Sequence, residues 1–374
     1  MFRSKNFSGL DMNGKQVFCA AVKIERGLPV LQEICHITLK DEIVSGGRIS
    51  QTETISSELA NALRKGVLSK NIHIAIPTQN ILVRKIVSLP DVEKEELGKL
   101  LEFQIGESIH LPFEEPVYDF VKIGSIMPNA IRNLNEELSL DELAKGIEEN
   151  LEGPKSEVIL FAASKTLAAD LAEVCISAGL KPLSAEVRAL ALQRLLLYVH
   201  PMWLKETEMI LDVAEDSIEI HIFKENKIIF SRMMSINQNV YSFNQENTPS
   251  LSSETLILDE DKTLSFESNK EIAASTDGSK YSFEESFLDE IIREIERAQN
   301  FFRYSLNERD SDLKRIIVTG KKTNQVLKPL KERLGSELVV RIDYSSILAD
   351  SFKSESLLDA CSVAIGLALR AKDH

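Results

Sequence analysis

The feature that most restricts the fold of this chain is that it opens twice. Phe7 to Asp11, Gln16 to Ile24 and Leu28 to Leu39 read as three strands joined by tight turns, because short apolar or alternating runs are punctuated at Gly14 and Gly27. From Met209 the same order returns: Met209 to Val213, Ile218 to Phe223 and Lys227 to Ser235, the last two joined by the Glu225-Asn226 turn. Asp212 takes the place in the second series that Asp11 takes in the first. A repeat at a separation of about two hundred residues implies duplicated domains, since solenoid periods are ~20 to 50 residues.

Between the two openings the pattern is α/β. Ile55, Leu59, Leu63 and Val67 lie at helical spacing, and the strand Ile72 to Ile76 stops at Pro77. A second unit starts near Thr78 with the strand Ile81 to Leu89. Asp91 then opens a helix through Ser108 that has Leu97, Leu100, Leu101 and Ile105 on its inner face. Two strands, Val117 to Ile123 and Val158 to Ala163, flank an acidic excursion at Ser125 to Ser156, read as a solvated decoration. A helix from Thr166 to Ala178 ends at Gly179, and the strand Lys181 to Glu186 leads into the apolar helix Arg188 to Tyr198. After the second opening, Gln238 to Glu284 is polar and acidic and reads as a mobile insertion. The remaining order is helix Glu285 to Tyr304, strand Arg315 to Thr319, helix Gln325 to Leu334, strand Leu338 to Ile342 and helix Ser354 to Ala371.

A chain of 374 residues with 43% hydrophobic content is long enough for two cores. No window reaches the ~18 to 20 apolar residues of a membrane span. The best candidate, Ala189 to Leu204, is interrupted by Gln193, Arg194 and His200. The first residues lack the apolar core of a signal peptide, so a cytoplasmic location without membrane insertion is expected. Cys19, Cys35, Cys175 and Cys361 form no zinc spacing and read as free thiols on apolar faces. A net charge of -14 without a basic patch sets nucleic acid aside as a partner. HExxH, GxSxG and GxxxxGK[ST] are all absent, and no catalytic or metal-ligating residue is assigned. Glu294 and Arg297 read either as a ribose contact or as a solvated helix face.

Several phrases, in order, make the chain similar to the PilM branch of the actin-like ATPase superfamily. They are Leu10-Asp11-Met12-Asn13-Gly14; the strand up to Leu89-Pro90; Leu111-Pro112-Phe113 after an acidic helix; Ala178-Gly179-Leu180-Lys181-Pro182 with Glu186 to Leu192; Asp212-Val213-Ala214; and Ala364 to Arg370. The resemblance implies duplicated actin-like (ribonuclease H-like) domains with an inserted small α+β subdomain. It divides the chain into 1–77 with 179–206, an insert at 78–178, then 207–237 with 306–374, and 238–305 carrying the insertion 238–284.

The resemblance also implies a nucleotide site. Its positions here are Asp11, Asn13, Gly14 and Lys15 in the first phosphate turn, Asp212 in the second and Gly320 in the adenosine turn. Asp11 and Asp212 read either as turn formers or as ligands of metal-bound water. The turns depart from the family pattern: Gly14 is displaced by one, Glu215 and Asp216 stand where phosphates should lie, and Thr319-Gly320-Lys321-Lys322 replaces a glycine run. Two carboxylates ~5 Å from a phosphate repel it by roughly 3 kcal/mol each at an effective dielectric of ~20. The expected cofactor is none, or weakly bound ATP with Mg²⁺.

The family further implies a cytoplasmic scaffold of type IV pilus assembly, recruited to the inner face of the membrane. It would hold the cytoplasmic N-terminal tail of a PilN-like single-span membrane protein in a groove that the insert forms with the first domain. Leu89, Pro90, Leu111, Pro112 and Phe113 are the residues expected to contact that tail, the alternative being that they pack the insert's own core. Self-association is a further expectation, and an active ATPase of the same fold is the competing reading.

Overall fold

A computed structural model describes residues 6–126, 153–236, 283–305, 312–348 and 354–370. The chain divides into two units: one runs through Ile81 and resumes at Lys165, and the other spans Leu82–Ser164.

The larger unit contains two five-stranded sheets. The first is built from β1 (Asn6–Asn13), β2 (Gln16–Glu25), β3 (Leu28–Thr38), β6 (Asn71–Ile76) and β10 (Lys181–Val187), in the order β10-β6-β1-β2-β3. The second is built from β11 (Thr207–Val213), β12 (Ser217–Lys224), β13 (Lys227–Ser235), β14 (Arg315–Thr319) and β15 (Val339–Arg341), in the order β13-β12-β11-β14-β15. In each, a meander of three antiparallel strands is extended past its first strand by two parallel ones. β1 and β11 are therefore equivalent central strands, which is why both are buried almost end to end. A two-stranded ribbon, β4 (Val44–Ser45) and β5 (Arg48–Ile49), turns at Gly46-Gly47.

Helix α1 (Thr52–Arg64) packs with α3 (Lys165–Ser177), whose Val174 carbonyl accepts a 3.1 Å bond from the Ser56 hydroxyl. α3 falls in the larger unit, with Leu167, Leu171 and Val174 buried along its apolar face. Helix α4 (Arg188–Val199) follows β10 directly. Further along come α5 (Phe283–Asn300), continued by a π-turn at Phe301–Ser305, and α6 (Thr323–Leu334). The single C-terminal helix expected from Ser354 to Ala371 is two helices, α7 (Glu355–Ala360) and α8 (Ser362–Ala368), separated at Cys361. Every residue of α8 is buried, and Ser362, Ala364, Gly366 and Ala368 let its backbone approach its neighbours. The four cysteines are free, and Cys19 and Cys35 lie opposite each other on β2 and β3.

In the smaller unit β7 (Ile81–Ile86), β8 (Pro116–Ile126) and β9 (Lys155–Ser164) form a sheet in the order β7-β9-β8, covered by α2 (Lys94–Gln104). Its core is Ile86, Leu89, Leu97, Leu101, Ile109, Val158 and Leu160, with Leu111 and Phe120 packed against it. The excursion at 125–156 contributes Ser125 and Ile126 to β8 and Lys155 and Ser156 to β9, and 127–152 lies outside the described residues. The insertion expected at 238–284 also lies outside them, except that Phe283 and Glu284 begin α5.

Candidate functional site

The two equivalent acids are brought together. Asp11 sits within β1 and Asp212 within β11, each side chain almost fully buried, and neither forms a turn. What they share is Arg188, the first residue of α4, itself 3% exposed. Its Nη1 donates to Asp11 Oδ2 and its Nη2 to Asp212 Oδ2 at 2.6 Å. Its Nε donates to Glu219 Oε2 at 3.1 Å, Glu219 being the β12 residue directly opposite Asp212. Thr78 Oγ1 donates to Glu219 Oε2 at 2.6 Å and Asn13 Nδ2 to Glu219 Oε1 at 3.3 Å, while His221 Nε2 lies 3.4 Å from Oε2. Asp11 Oδ1 is buried with no hydrogen-bond partner in the protein.

Three carboxylates therefore surround one guanidinium away from water. Burial favours the neutral acids, and the cation favours the charged ones. Burial pushes the Asp11 carboxyl up against the pull of Arg188, and pushes Asp212 up to about 7 against the same pull. Burial also acts to raise Glu219, but Arg188, His221 and Thr78 outweigh it and hold that carboxyl down to about 2. Desolvation opposes the charge on Arg188, and its three acids more than restore it.

Neither Arg188 nor Glu219 was among the expected site residues. The signals were present: a cation at the head of a helix whose next four residues are apolar, and one acid between Ile218 and Ile220 in a strand buried on both faces. An ionised side chain in such a place must be paired.

The turns beside this centre engage one another. Gly14, at φ +59°, turns β1 into β2, and its carbonyl accepts from Ile43 N at 2.9 Å. A Cβ on Gly14 would lie 3.0 Å from Asp216 Oδ2, and Gln16 Nε2 lies 3.5 Å from Glu215 Oε2. Glu215 also pairs with Lys321 Nζ at 2.9 Å. Lys15 is exposed, and its charge opposes the burial and the Asp216 charge that raise the Glu42 carboxyl. Gly320, at φ +97°, is pressed onto the second turn: a Cβ there would come within 2.6 Å of Val213 N. Gly320 N donates to Asp359 O at 3.2 Å and Lys322 N to Val213 O at 2.9 Å, so these amides are already satisfied. Glu294 is buried and paired with Arg297 and Arg232, which sets aside its reading as part of a solvated face.

These residues do not fit a magnesium nucleotide. The acids that would hold the cation's water are bonded to Arg188, and the first two turns approach each other through their own side chains. Among the described residues no group of three His, Cys, Asp or Glu side chains is arranged to hold a metal.

The expected tail-contacting residues separate by burial. Leu89 is fully buried in the core of the smaller unit and Leu111 packs against that core, whereas Pro90 and Pro112 are exposed and Phe113 is half-buried. The exposed apolar side chains of that unit are Phe103 on α2 and Val117, Tyr118, Val121 and Ile126 on β8, an edge strand. Among the described residues no helix is long and apolar enough to cross a membrane.

Residues 9–135 match the family model described as type IV pilus assembly protein PilM. A comparison with curated proteins gave no match. Among solved structures, the "PilM-PilN type IV pilus biogenesis complex" is similar with a TM-score of 0.68 at 17% identity, covering 98% of each chain. MreB5 of Spiroplasma citri bound to ADP has a TM-score of 0.42 at 10% identity over 99% of this chain and 98% of that one. The ethanolamine utilization protein EutJ from Carboxydothermus hydrogenoformans has 0.41 at 11% identity over 98% and 89%. Two sheets of one topology, with equivalent acids on their central strands, make the fold a duplicated α/β one, similar over nearly its whole length to that of the PilM-PilN structure. In sequence over residues 9–135, and in fold over nearly its whole length, the chain is PilM-like.

Proposed function

We propose that this protein is a scaffold of type IV pilus assembly that binds the cytoplasmic N-terminal tail of a PilN-like inner-membrane protein. The observation that carries the reading is the PilM match over 9–135, which includes the Leu89-Pro90 and Leu111-Pro112-Phe113 phrases. The smaller unit supports it with exposed apolar side chains, several of them on β8, the edge strand of its sheet among the described residues, the kind of surface an extended apolar peptide uses. A self-filled centre favours a scaffold over an ATPase. Recruitment to the membrane then comes through the partner.

The test is binding of a labelled peptide copying the PilN-like tail to full-length protein. Burying ~100 Å² of the Phe113 ring contributes about 2.5 kcal/mol at ~25 cal/mol per Å², so Phe113→Asp should weaken binding by more than about tenfold. Its circular dichroism and Tm should stay near those of the wild type. A variant that folds and binds the peptide as well as wild type removes Phe113 from the site. A wild type that binds no tail peptide removes the function.

A further inference from the structure

We propose that Cys19 and Cys35 form a reversible dithiol–disulfide site on the outer two strands of the first sheet, oxidised by small-molecule disulfides, with Cys35 as the attacking thiolate and Cys19 as the resolving thiol. Cys19 on β2 and Cys35 on β3 are directly opposite in the antiparallel register, so their side chains leave the same face of the sheet. Opposed residues of such a pair have Cα atoms about 4.5–5.5 Å apart, inside the ~4.4–6.8 Å that a disulfide spans. The two thiols interact, and Cys19 acts as the hydrogen-bond donor toward Cys35. Their exposure differs in the way a two-step exchange requires. Among the described residues β3 is the edge strand and Cys35 is half-buried, within reach of a small reagent, whereas Cys19 is fully buried. Cys361, at the junction of α7 and α8, donates its thiol to the Cys35 carbonyl at 3.7 Å and so is engaged with backbone.

The thiolate is the nucleophile, which sets the order of the steps. The Cys19 contact lowers the Cys35 pKa and outweighs burial and the Glu33 charge, which act to raise it. The same contact and burial raise Cys19, while burial pushes Cys175 up to about 12 and raises Cys361 as well. Cys35 loses its proton to solvent and attacks one sulfur of the reagent RSSR. The reagent's S–S bond breaks, a Cys35–S–S–R mixed disulfide forms, and RS⁻ leaves and is protonated. Cys19 then gives up its proton as it attacks the Cys35 sulfur, the mixed disulfide breaks, and the second RS⁻ leaves and is protonated. Two cysteine thiols and one reagent disulfide become one protein disulfide and two reagent thiols, so two electrons pass from the cysteine pair to the reagent. Excess reduced thiol reverses both steps. The inference does not depend on the pilus reading, because it concerns the thiols of this chain alone.

The experiment incubates reduced, natively folded full-length protein with millimolar oxidised glutathione, alkylates the remaining thiols after unfolding, and maps tryptic peptides by mass spectrometry. Trypsin places the four cysteines in separate peptides, Cys19 in Gln16–Lys23 and Cys35 in Gly27–Lys40. Wild type should yield these two peptides joined by a disulfide, with Cys175 and Cys361 alkylated, and dithiothreitol should restore all four thiols. Cys19→Ala should stop at the first step and carry one glutathione on Cys35. Cys35→Ala should lose thiols at least about tenfold more slowly than wild type, since the remaining thiols are held protonated. The proposal is overturned if oxidised wild type keeps four free thiols, if the link runs to Cys175 or Cys361, or if Cys35→Ala reacts as fast as wild type. Should Cys19→Ala fail to fold, as judged by circular dichroism, wild type quenched early in the reaction decides the order of attack. Glutathione found on Cys35 supports it, and glutathione found on Cys19 overturns it.

Discussion

Gly366 lies directly on the backbone of Ala191: a Cβ added to the glycine would overlap the Ala191 carbonyl oxygen and sit 2.6 Å from its carbon. Helix α8 therefore meets helix α4 with no side chain between them. On its other side it meets β1, where a Cβ on Gly9 would come within 2.7 Å of Leu367 Cβ. Gly366→Ala should cost about 1–3 kcal/mol in denaturant unfolding, through overpacking against backbone that cannot yield. Gly98→Ala is the control. It is also helical, its Cβ would meet Phe120 at an ordinary 3.5 Å, and it should be neutral or gain up to about 1 kcal/mol. Equal effects of the two substitutions would contradict the tight crossing.

Asp212 gives stability a pH dependence of unusual sign. Its folded pKa is raised to about 7 from 3.8, so the folded state holds the proton more tightly than the unfolded one. That contribution is complete below the unfolded value and is lost as pH rises toward about 7. Asp359, pushed to about 6 by burial against Arg341 and Tyr344, adds to the same slope. Glu219, held at about 2, works the opposite way and only toward strong acid. Melting temperatures should therefore fall between about pH 4 and pH 7, and Asp212→Asn should flatten the fall without abolishing it. An unchanged slope in the variant would show that Asp212 does not titrate in this range.

Wild-type protein should bind Mg-ATP more weakly than low micromolar in calorimetry, because Arg188 holds the strand acids and the turns are engaged with each other. Replacing Glu215 with Ser and Asp216 with Gly should tighten binding by roughly tenfold. This is less than the unscreened repulsion of two carboxylates, since Asp216 is exposed and Glu215 is partly neutralised by Lys321. Low-micromolar affinity in the wild type, or no change in the double variant, would contradict the reading of these turns.

The duplicated fold was legible because period-2 runs and their turns are local signals, and Asp11 and Asp212 mark equivalent places in them. What was not legible depended on distant packing. The helix Lys165–Ser177 reads as an amphipathic segment in either unit, and only the surface it buries decides. The break at Cys361 leaves no proline or glycine at the junction to announce it. Arg188 was passed over because helical patterning weighs apolar positions, and a charge at a helix start ordinarily faces water. Leu89 and Phe113 stand in similar Leu-Pro and Pro-Phe phrases, yet one is core and the other half-buried, a difference set by the sheet beneath them.

The two Nη groups of a guanidinium are chemically alike, and in this protein they address two residues that hold equivalent places in sheets of the same topology. Nη1 takes the acid of the first central strand and Nη2 the acid of the second. Two equivalent acids facing one seam can be met by one residue that offers two equivalent donors. The guanidinium provides such a pair of donors with a positive charge, so Arg188 registers the internal symmetry of the two sheets at one junction. Its third bond, from Nε to Glu219, is where the symmetry stops: the position matching Glu219 in the first sheet is Phe18, which can accept nothing.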